Sequence, residues 1–390
     1  MMKLSSSLSQ YLKVMSHPVL VAIIQDEIKK SGPIPFVRFM ELALYHPEHG
    51  YYFSPRQKIG YQGGDFYTSP FVHPVFAKLL AKQLIQMAEG ISAPLDTITF
   101  IEFGAGDGLL CLGILQGIEQ QNPTLFQRLR YVIIEASPSF KLCQKERLQQ
   151  YARWVRWEDK MPSASIGVVF SNELLDAFPV HRLQVKNGVV HEIYVDWKED
   201  HFVEILVPSE GTLTAGAPHP TGQFEINRLA LDWMHQVGQS LTKGFVLTLD
   251  YGYPAQQIYE RKQGTFLCYR QHTVNENPYD FIGEQDMTSH VDFTALAAVG
   301  EAAGLSLLGF TDQTHFLMGL GIAEEMQSEA EKMHQSEEAQ KNFLAMKQLM
   351  DPHGMGKTFK GLIQGKGIPL PIKLDGLTYP AYPKEILSKG

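Results

Sequence analysis

A glycine-rich loop is the first feature of the sequence that suggests chemistry. Glycines alternate at positions 104, 106 and 108, and acids stand at Glu102 and Asp107. Glycine lets the backbone approach a ligand closely, and a helix that follows such a loop offers N–H groups to the ligand. A carboxylate inside the loop would repel a diphosphate but would attract a cation. We therefore predict a site for a cationic, phosphate-free ligand, and the predicted contact residues are Glu102, Gly104, Ala105 and Gly106.

S-adenosylmethionine (SAM) is a ligand of this kind, because it carries an ammonium group and a sulfonium but no phosphate. Glu135 ends the next predicted strand and can accept both ribose hydroxyls through its two carboxylate oxygens. Asp159 follows the third predicted strand and can accept from the adenine amino group, although a solvated loop carboxylate is the alternative. We predict SAM as the cofactor, and the two acids of the loop argue against a nucleotide-linked oxidoreductase.

A second group of polar residues follows the fourth apolar strand. Asn172, Glu173 and Asp176 lie there, and ligands of open α/β sheets bind beyond the carboxyl ends of the strands. One helical turn would bring Glu173 and Asp176 to the same face, where two carboxylates can hold a guanidinium and orient one nitrogen toward a methyl group. The alternative is that one of them caps the turn. We predict all three as catalytic residues in a reaction that depends mainly on orientation.

The elements that must position these residues follow from the hydrophobic pattern. Apolar strands are predicted over 97–103, 130–135, 154–157, 166–171 and 245–250, with helices between them. This pattern indicates a parallel sheet covered on both faces. Asn187-Gly188 between two alternating segments predicts a type I′ hairpin, a helical turn is expected at 174–177, and segments 305–310 and 315–320 are expected to form a strand pair.

The predicted fold class is α/β: a Rossmann-like SAM-dependent methyltransferase sheet with helices on both faces, an inserted β meander and helical additions at both ends. Four segments are expected. They are N-terminal helices and a loop at 1–90, the SAM-binding core at 91–182 and 241–322, an inserted β/helical subdomain at 183–240, and a helical C-terminal extension at 323–390.

Four motifs in a fixed order carry a resemblance to a known family. They read GDFYTSP at 64–70, EFGAG at 102–106, NELLDA at 172–177 and DMTSHVDF at 286–293. Together they resemble the MidA-like family of class I SAM-dependent methyltransferases, over the chain from about Phe36 to Lys366. The family includes a mitochondrial complex I assembly factor that methylates an arginine. The resemblance therefore implies SAM binding and suggests protein arginine N-methylation.

The resemblance also suggests further contact residues. The 65–69 loop is a candidate lid over SAM, with Tyr67 and Thr68 against the methionine moiety, although a purely structural loop is the alternative. The acceptor is expected to meet His272, Asp286, His290 and Asp292, although structural roles for these four residues are the alternative. These four have metal-ligand side chains, but their spacing matches no metal signature, so we predict no metal.

Composition narrows the partners and the compartment. The net charge is −8 and no basic run occurs, so nucleic acid is not expected. No stretch reaches the ~18 apolar residues of a membrane span, and three cysteines without a CxxC pair indicate a reducing compartment. We expect a cytoplasmic protein (in the mitochondrial matrix if the source is eukaryotic) that acts on a protein substrate. The inserted strands would suit a homodimer, and a non-catalytic SAM-binding assembly factor is the alternative function.

Overall fold

The computed structural model describes residues 16–54, 69–91, 97–209, 211 and 222–387. Residues 1–15 of the predicted N-terminal helix, and the loop residues Tyr67 and Thr68, lie outside the described residues. Among the described helices, none has the length and apolar content that crossing a membrane requires.

Helices and strands alternate along most of the chain. In chain order the strands are β1 Ile34–Pro35, β2 Ile98–Phe103, β3 Leu129–Ile134, β4 Val155–Glu158, β5 Ser165–Asn172, β6 His181–Lys186, β7 Val189–Lys198, β8 His201–Pro208, β9 Gln223–Ile226, β10 Leu241–Tyr253, β11 Leu267–Arg270, β12 Thr273–Asn275, β13 Asp286–Thr288, β14 Val291–Asp292, β15 Ser306–Asp312 and β16 Phe359–Lys366. The α-helices are α1 Pro18–Ser31, α2 Phe36–Tyr45, α3 Ser69–Val72, α4 Val75–Gly90, α5 Leu109–Gln121, α6 Pro123–Gln127, α7 Pro138–Arg147, α8 Arg228–Ser240, α9 Ala255–Ile258, α10 Phe293–Ala302, α11 Gln313–Leu320, α12 Ile322–Lys332, α13 Glu337–Leu349 and α14 Met355–Thr358.

The chain divides into two compact units. The core unit consists of Tyr67–Leu174, Asp232–Tyr253 and Phe293–Gly390, and the meander unit consists of Met1–Phe66, Leu175–Leu231 and Pro254–Asp292. This division differs from the four predicted segments. The predicted N-terminal segment belongs to the meander unit only as far as Phe66, and the predicted insertion only as far as Leu231. Within that unit β1 pairs with β7.

The core unit is built on a sheet whose strands follow the order β15-β16-β10-β5-β2-β3-β4. Neighbours from β10 to β4 run parallel, whereas β16 runs antiparallel to both β10 and β15. The strand order reverses between β2 and β5, since the chain moves from β2 outward to β4 and then returns to β5. The carboxyl ends of strands beside such a reversal form a crevice that binds ligands in open α/β sheets.

Successive side chains of these strands point to opposite faces of the sheet. Phe100 and Tyr131 belong to an apolar cluster that includes residues of α4 and α5. On the opposite face, the ring of Phe103 packs edge-on against Trp233 of α8, with ring centroids 5.4 Å apart. Gln364 of β16 donates to the Ala297 carbonyl of α10 at 3.1 Å. Helices therefore cover both faces, as predicted from the apolar strands.

The meander unit contains antiparallel sheets. In the first sheet the strand order is β1-β7-β6-β9, and β8 also pairs with β7. Asn187 and Gly188 adopt φ of 53° and 76° between β6 and β7, which confirms the predicted hairpin. The second sheet has the order β12-β11-β13.

Two elements differ from the sequence-based expectation. Segment 315–320 belongs to helix α11 rather than to a strand, because the Asp312 side chain caps its N-terminus by accepting from His315 N, and Gly321 ends it with φ of 102°. The predicted helical extension does contain α12 and α13, but β16 follows them and enters the core sheet between β10 and β15. The C-terminal segment therefore completes the core sheet.

Candidate functional site

The glycine loop joins β2 to α5 with three left-handed residues. Gly104, Gly106 and Gly108 have φ of 67°, 54° and 84°, a region that side chains other than glycine's rarely enter. A Cβ on Gly104 would lie 2.7 Å from the Leu174 Cδ1 atom, and one on Gly108 would lie 3.3 Å from the Gln144 Cγ atom. The backbone of the loop therefore favours glycine at these three positions, and Ala105 between the first two is buried.

Asp107 has a structural role in this loop. One carboxylate oxygen accepts from Leu109 N at 3.1 Å at the start of α5, and the other lies 2.7 Å from the Arg147 guanidinium. Burial raises the pKa of Asp107, while Arg147 opposes that rise. Because its charge is already matched by Arg147, Asp107 does not supply the free negative charge that the sequence suggested.

Glu102 lies in the protein interior. Its side chain is 1% exposed, and its Oε2 accepts from the Tyr131 hydroxyl at 2.6 Å. Burial raises the pKa of Glu102 to about 8, against the lowering effect of the Tyr131 hydrogen bond. A carboxyl with this pKa holds its proton at neutral pH. The predicted contact between Glu102 and a cationic ligand is therefore not supported by this geometry.

Glu135 directly follows β3 and is held from two sides. Its Oε1 accepts from Ser137 N at 2.8 Å, and its Oε2 accepts from the Gln144 side-chain amide at 3.0 Å. Burial raises its pKa, and these hydrogen bonds lower it. A carboxylate has about four acceptor positions, so these two bonds leave capacity for a diol. Glu135 is thus a fixed acceptor at the carboxyl end of β3, as a ribose-binding acid would be.

Three other predicted cofactor contacts receive no comparable support. The Asp159 side chain is 93% exposed and forms an ion pair with Lys141 at 2.9 Å, which lowers its pKa. This is the environment of a solvated loop carboxylate, and its contact with adenine stays a prediction. Tyr67 and Thr68 lie outside the described residues.

Asn172 and Glu173 meet at the carboxyl end of β5. The Glu173 Oε1 atom accepts from the Asn172 side-chain amide at 3.0 Å and from Ser69 N at 3.1 Å. Glu173 has φ of 53°, and its own N–H donates to the Leu249 carbonyl of β10. Strained backbone of this kind is often found at functional sites. Residues 175–178 form a hydrogen-bonded turn, in which Phe178 N donates to the Leu175 carbonyl, but no helix includes Glu173. The argument that placed Glu173 and Asp176 on one helical face therefore does not apply.

Asp250 holds the same turn from the neighbouring strand. It is fully buried in β10, and its Oδ2 accepts from Leu174 N at 3.1 Å while its Oδ1 accepts from Tyr251 N at 2.9 Å. This residue is not among the predicted site residues, and it ends the predicted strand 245–250. An acid at the end of an apolar strand is the signal that the sequence offers.

In the meander unit, two predicted acids surround a pair of tyrosines. Asp286 is buried and accepts from the Tyr52 hydroxyl at 2.6 Å. Burial raises the pKa of both Tyr52 and Tyr269, and the charges of Asp176 and Asp286 raise them further. Both carboxylates therefore lie near the same phenols, in an environment that would favour a cation.

The other predicted substrate residues are dispersed within that unit. His272 lies in the exposed turn between β11 and β12, His290 N donates to the Thr265 hydroxyl, and Asp292 bonds to Tyr259. Within the described part of the chain, no three histidine, cysteine or acidic side chains are close enough to hold a metal ion.

Comparison with known proteins gives a consistent family. Residues 79–311 match the family described as "Putative S-adenosyl-L-methionine-dependent methyltransferase". The chain is 26% identical over 389 residues to "Protein arginine methyltransferase NDUFAF7 homolog, mitochondrial" of Drosophila melanogaster, covering 90% of this chain and 86% of the relative. It is 28% identical over 366 residues to the Xenopus laevis protein named "Protein arginine methyltransferase NDUFAF7, mitochondrial", covering 86% and 81%.

A solved structure agrees with these relatives. A COG1565 superfamily protein from Burkholderia thailandensis, crystallised with S-adenosyl-homocysteine, superposes with a TM-score of 0.85. It is 31% identical, and the match covers 94% of this chain and 96% of that one.

Proposed function

The chain belongs to the family of S-adenosyl-L-methionine-dependent methyltransferases, and from this premise we propose that it methylates a nitrogen of a protein side chain, namely an arginine guanidinium. SAM is the cofactor of the family, and the predicted resemblance is confirmed. The observation that carries the proposal is the meeting of three segments at the reversal in strand order. They are the glycine loop after β2, Glu135 after β3, and Asn172-Glu173 at the end of β5.

The cofactor side of the site fits SAM. The glycines of the left-handed loop leave room for close approach of a ligand, and Glu135 is fixed to accept a ribose diol. In our proposal Gly104, Ala105, Gly106 and Glu135 bind the nucleoside and amino-acid parts. SAM supplies an electrophilic methyl group when bound. The chain's own contribution is to hold and orient the acceptor.

Glu173 is the residue we propose to orient the acceptor nitrogen. The bonds from Asn172 and Ser69 fix its carboxylate, so it need not reorganise when a guanidinium arrives. A carboxylate facing a guanidinium can accept two parallel N–H bonds and thereby fix the plane of the group. It can also accept the proton that the nitrogen loses, which matters because the arginine pKa lies above about 12. Asn172 positions Glu173 through the amide hydrogen bond that it donates. The catalytic role of Asp176 and the substrate-binding role of Asp286 remain predictions.

The choice of arginine rests on the relatives. The Drosophila and Xenopus proteins are named protein arginine methyltransferases, and the chain covers more than four fifths of each. Their names also say mitochondrial, and our cytoplasmic assignment for this chain stays a prediction. The predicted homodimer and the roles of His272, His290 and Asp292 likewise remain predictions.

A substitution at Glu173 tests the catalytic part of the proposal. Glu173→Gln keeps an acceptor for Ser69 N but loses the charge that holds a guanidinium. We expect methyl transfer from radiolabelled SAM to arginine-containing proteins to fall about 100-fold or more, by analogy with removal of a positioned acid–base group. Binding of S-adenosylhomocysteine (SAH) should stay within about threefold, because Glu173 is not among the proposed cofactor contacts.

The matched control is Glu301→Gln, an exposed acid of α10, which should leave both activity and SAH binding unchanged. Amino-acid analysis of the labelled product identifies the acceptor. Label in lysine or a carboxyl side chain would overturn the arginine assignment. SAH binding without transfer to any protein would instead favour the non-catalytic assembly factor.

A further inference from the structure

Gln144 of α7 is a buried polar residue in the core unit that the proposed function does not use. Its side chain is fully buried, and each polar atom of the side-chain amide has a partner. Nε2 donates to the Gly106 carbonyl at 2.7 Å and to the Glu135 carboxylate at 3.0 Å. Oε1 accepts from the Trp157 indole N–H at 2.9 Å. One amide therefore links the glycine loop, the acid after β3 and the strand β4.

The three hydrogen-bond partners of Gln144 belong to separate elements, which come together only when the chain folds. Gly106 lies in a loop of left-handed residues, Glu135 follows β3, and Trp157 lies in β4. Gln144 also packs against the start of α5, since a Cβ on Gly108 would lie 3.3 Å from its Cγ atom. A buried polar group that loses a partner costs more than the bond itself contributes. The loop and the carboxylate are therefore coupled through this side chain.

We propose that Gln144 is a positioning residue that sets the affinity for the nucleoside part of SAM by holding Glu135 and the Gly106 carbonyl in their ligand-binding geometry. The inference rests on the proposed ribose-binding role of Glu135. A site held in its bound arrangement before the ligand arrives spends less of the binding free energy on ordering. The hydrogen bonds of Gln144 reach proposed cofactor residues and not the proposed acceptor residue Glu173, so we expect it to affect the KM for SAM and not kcat.

Calorimetric titration of the full-length protein with SAH tests this role. Gln144→Met keeps the length of the side chain and removes all three hydrogen bonds, and we expect the Kd to rise about tenfold or more. Gln144→Glu keeps the acceptor for Trp157 but removes both donated bonds and adds charge beside Glu135, so it should weaken binding at least as much. It also serves as the second variant if Gln144→Met fails to fold.

A matched control separates positioning from general packing. Gln83 of α4 is also a fully buried glutamine in the core unit, and it accepts from Gly376 N at 2.9 Å. Gln83→Met should lower the unfolding temperature, as Gln144→Met does, but it should leave the Kd for SAH unchanged. Equal losses of affinity in the two variants would overturn the inference.

The pH profile of SAH binding gives a readout that packing alone would not change. The hydrogen bond from Gln144 lowers the pKa of Glu135, so its removal should move the acid-side loss of affinity to higher pH. The other ionisable groups acting on Glu135 are Lys141 of α7 and Glu102 of β2. In Glu135→Gln this acid-side loss should disappear. Adding Gln144→Met to that variant should raise the Kd less than it does in the wild-type protein, and the remaining effect should come from the Gly106 carbonyl.

The outcomes separate the inference from the proposed function. The positioning role is refuted if Glu135→Gln weakens SAH binding but Gln144→Met does not. It is also refuted if the two increases in Kd multiply in full in the double variant and the pH profile of Gln144→Met matches that of the wild-type protein. In both cases the proposed function stands. If Glu135→Gln binds SAH as the wild-type protein does, the ribose-binding role fails and the inference fails with it. Absence of SAH binding by the folded wild-type protein would overturn the proposed function itself.

Discussion

The buried carboxyl of Glu102 should make the stability of this protein depend on pH, and Glu102→Gln should remove that dependence. Burial in the helix-covered face of the sheet raises the pKa of Glu102 to about 8 from 4.5. Below the unfolded-state pKa the group is protonated in both states, so its contribution to stability is fully present. As the pH rises toward about 8 the unfolded chain gains from ionisation while the folded one does not, and that contribution is lost.

The magnitude follows from the two pKa values. At about 1.4 kcal/mol for each pKa unit, a pKa of about 8 against 4.5 corresponds to roughly 5 kcal/mol. Relaxation of the surroundings and water entry reduce such penalties, so we expect about 3 kcal/mol or more. The amide of the variant still offers an acceptor to the Tyr131 hydroxyl, so its own stability should not follow this titration.

Urea titrations of the ligand-free protein at pH 5, 7 and 9 measure the effect. The free energy of unfolding of the wild-type protein should fall relative to Glu102→Gln by about 3 kcal/mol between pH 5 and pH 9. Glu119→Gln is the matched control, because Glu119 also accepts from a tyrosine hydroxyl, that of Tyr151 at 2.9 Å, but lies at the surface. Subtracting its difference from the wild-type protein at each pH isolates the effect of burying the carboxyl. Parallel pH curves for wild type and Glu102→Gln would refute the assignment of a neutral buried carboxyl.

Two further substitutions test the loop and the turn. Gly104→Val should weaken SAH binding at least about tenfold and cost about 1–3 kcal/mol of stability, because φ of 67° and a Cβ position 2.7 Å from Leu174 both oppose a side chain. The control is Gly188→Val, because Gly188 has φ of 76° but open space around it. This variant should lose stability without a change in SAH affinity measured by calorimetry. Equal SAH affinities for the two variants would contradict the role of the loop. Asp250→Asn can keep only one of the two hydrogen bonds that the carboxylate accepts. We therefore expect kcat to fall more than about tenfold while SAH affinity is retained. An unchanged kcat would show that the turn does not need this acid.

Much of the fold was predictable because its signals are local. The apolar strands before the glycine loop, before Glu135 and before Asn172 are short runs bounded by turn residues, and all three form parallel strands of one sheet. Asn187-Gly188 specifies its hairpin through two adjacent residues that tolerate positive φ. The sheet edge that carries the candidate site follows from these strands and from the reversal in their order.

Two elements differ from the prediction for different reasons. Strand β16 contains two glycines and two lysines, so it lacks the apolar run of a central strand, yet β10 and β15 satisfy its backbone on both sides. Its pairing partners are distant in sequence, so no local pattern could indicate it. Segment 315–320 has a strand-like apolar content, but the neighbouring Asp312 cap and the left-handed Gly321 make it a helix. Here the deciding signals are local, and they outweigh the apolar content of the segment.

The sequence by itself determined the α/β class, the glycine loop, the hairpin and the acid at the end of β3, because each depends on neighbours within a few residues. Only the tertiary structure decided which acids can meet a ligand. It buried Glu102 against Tyr131 and paired Asp107 with Arg147, while Gln144 and Ser137 hold Glu135. The physical reason is that the charge and availability of a carboxylate depend on burial and hydrogen-bond donors, and these come from segments that only folding brings together.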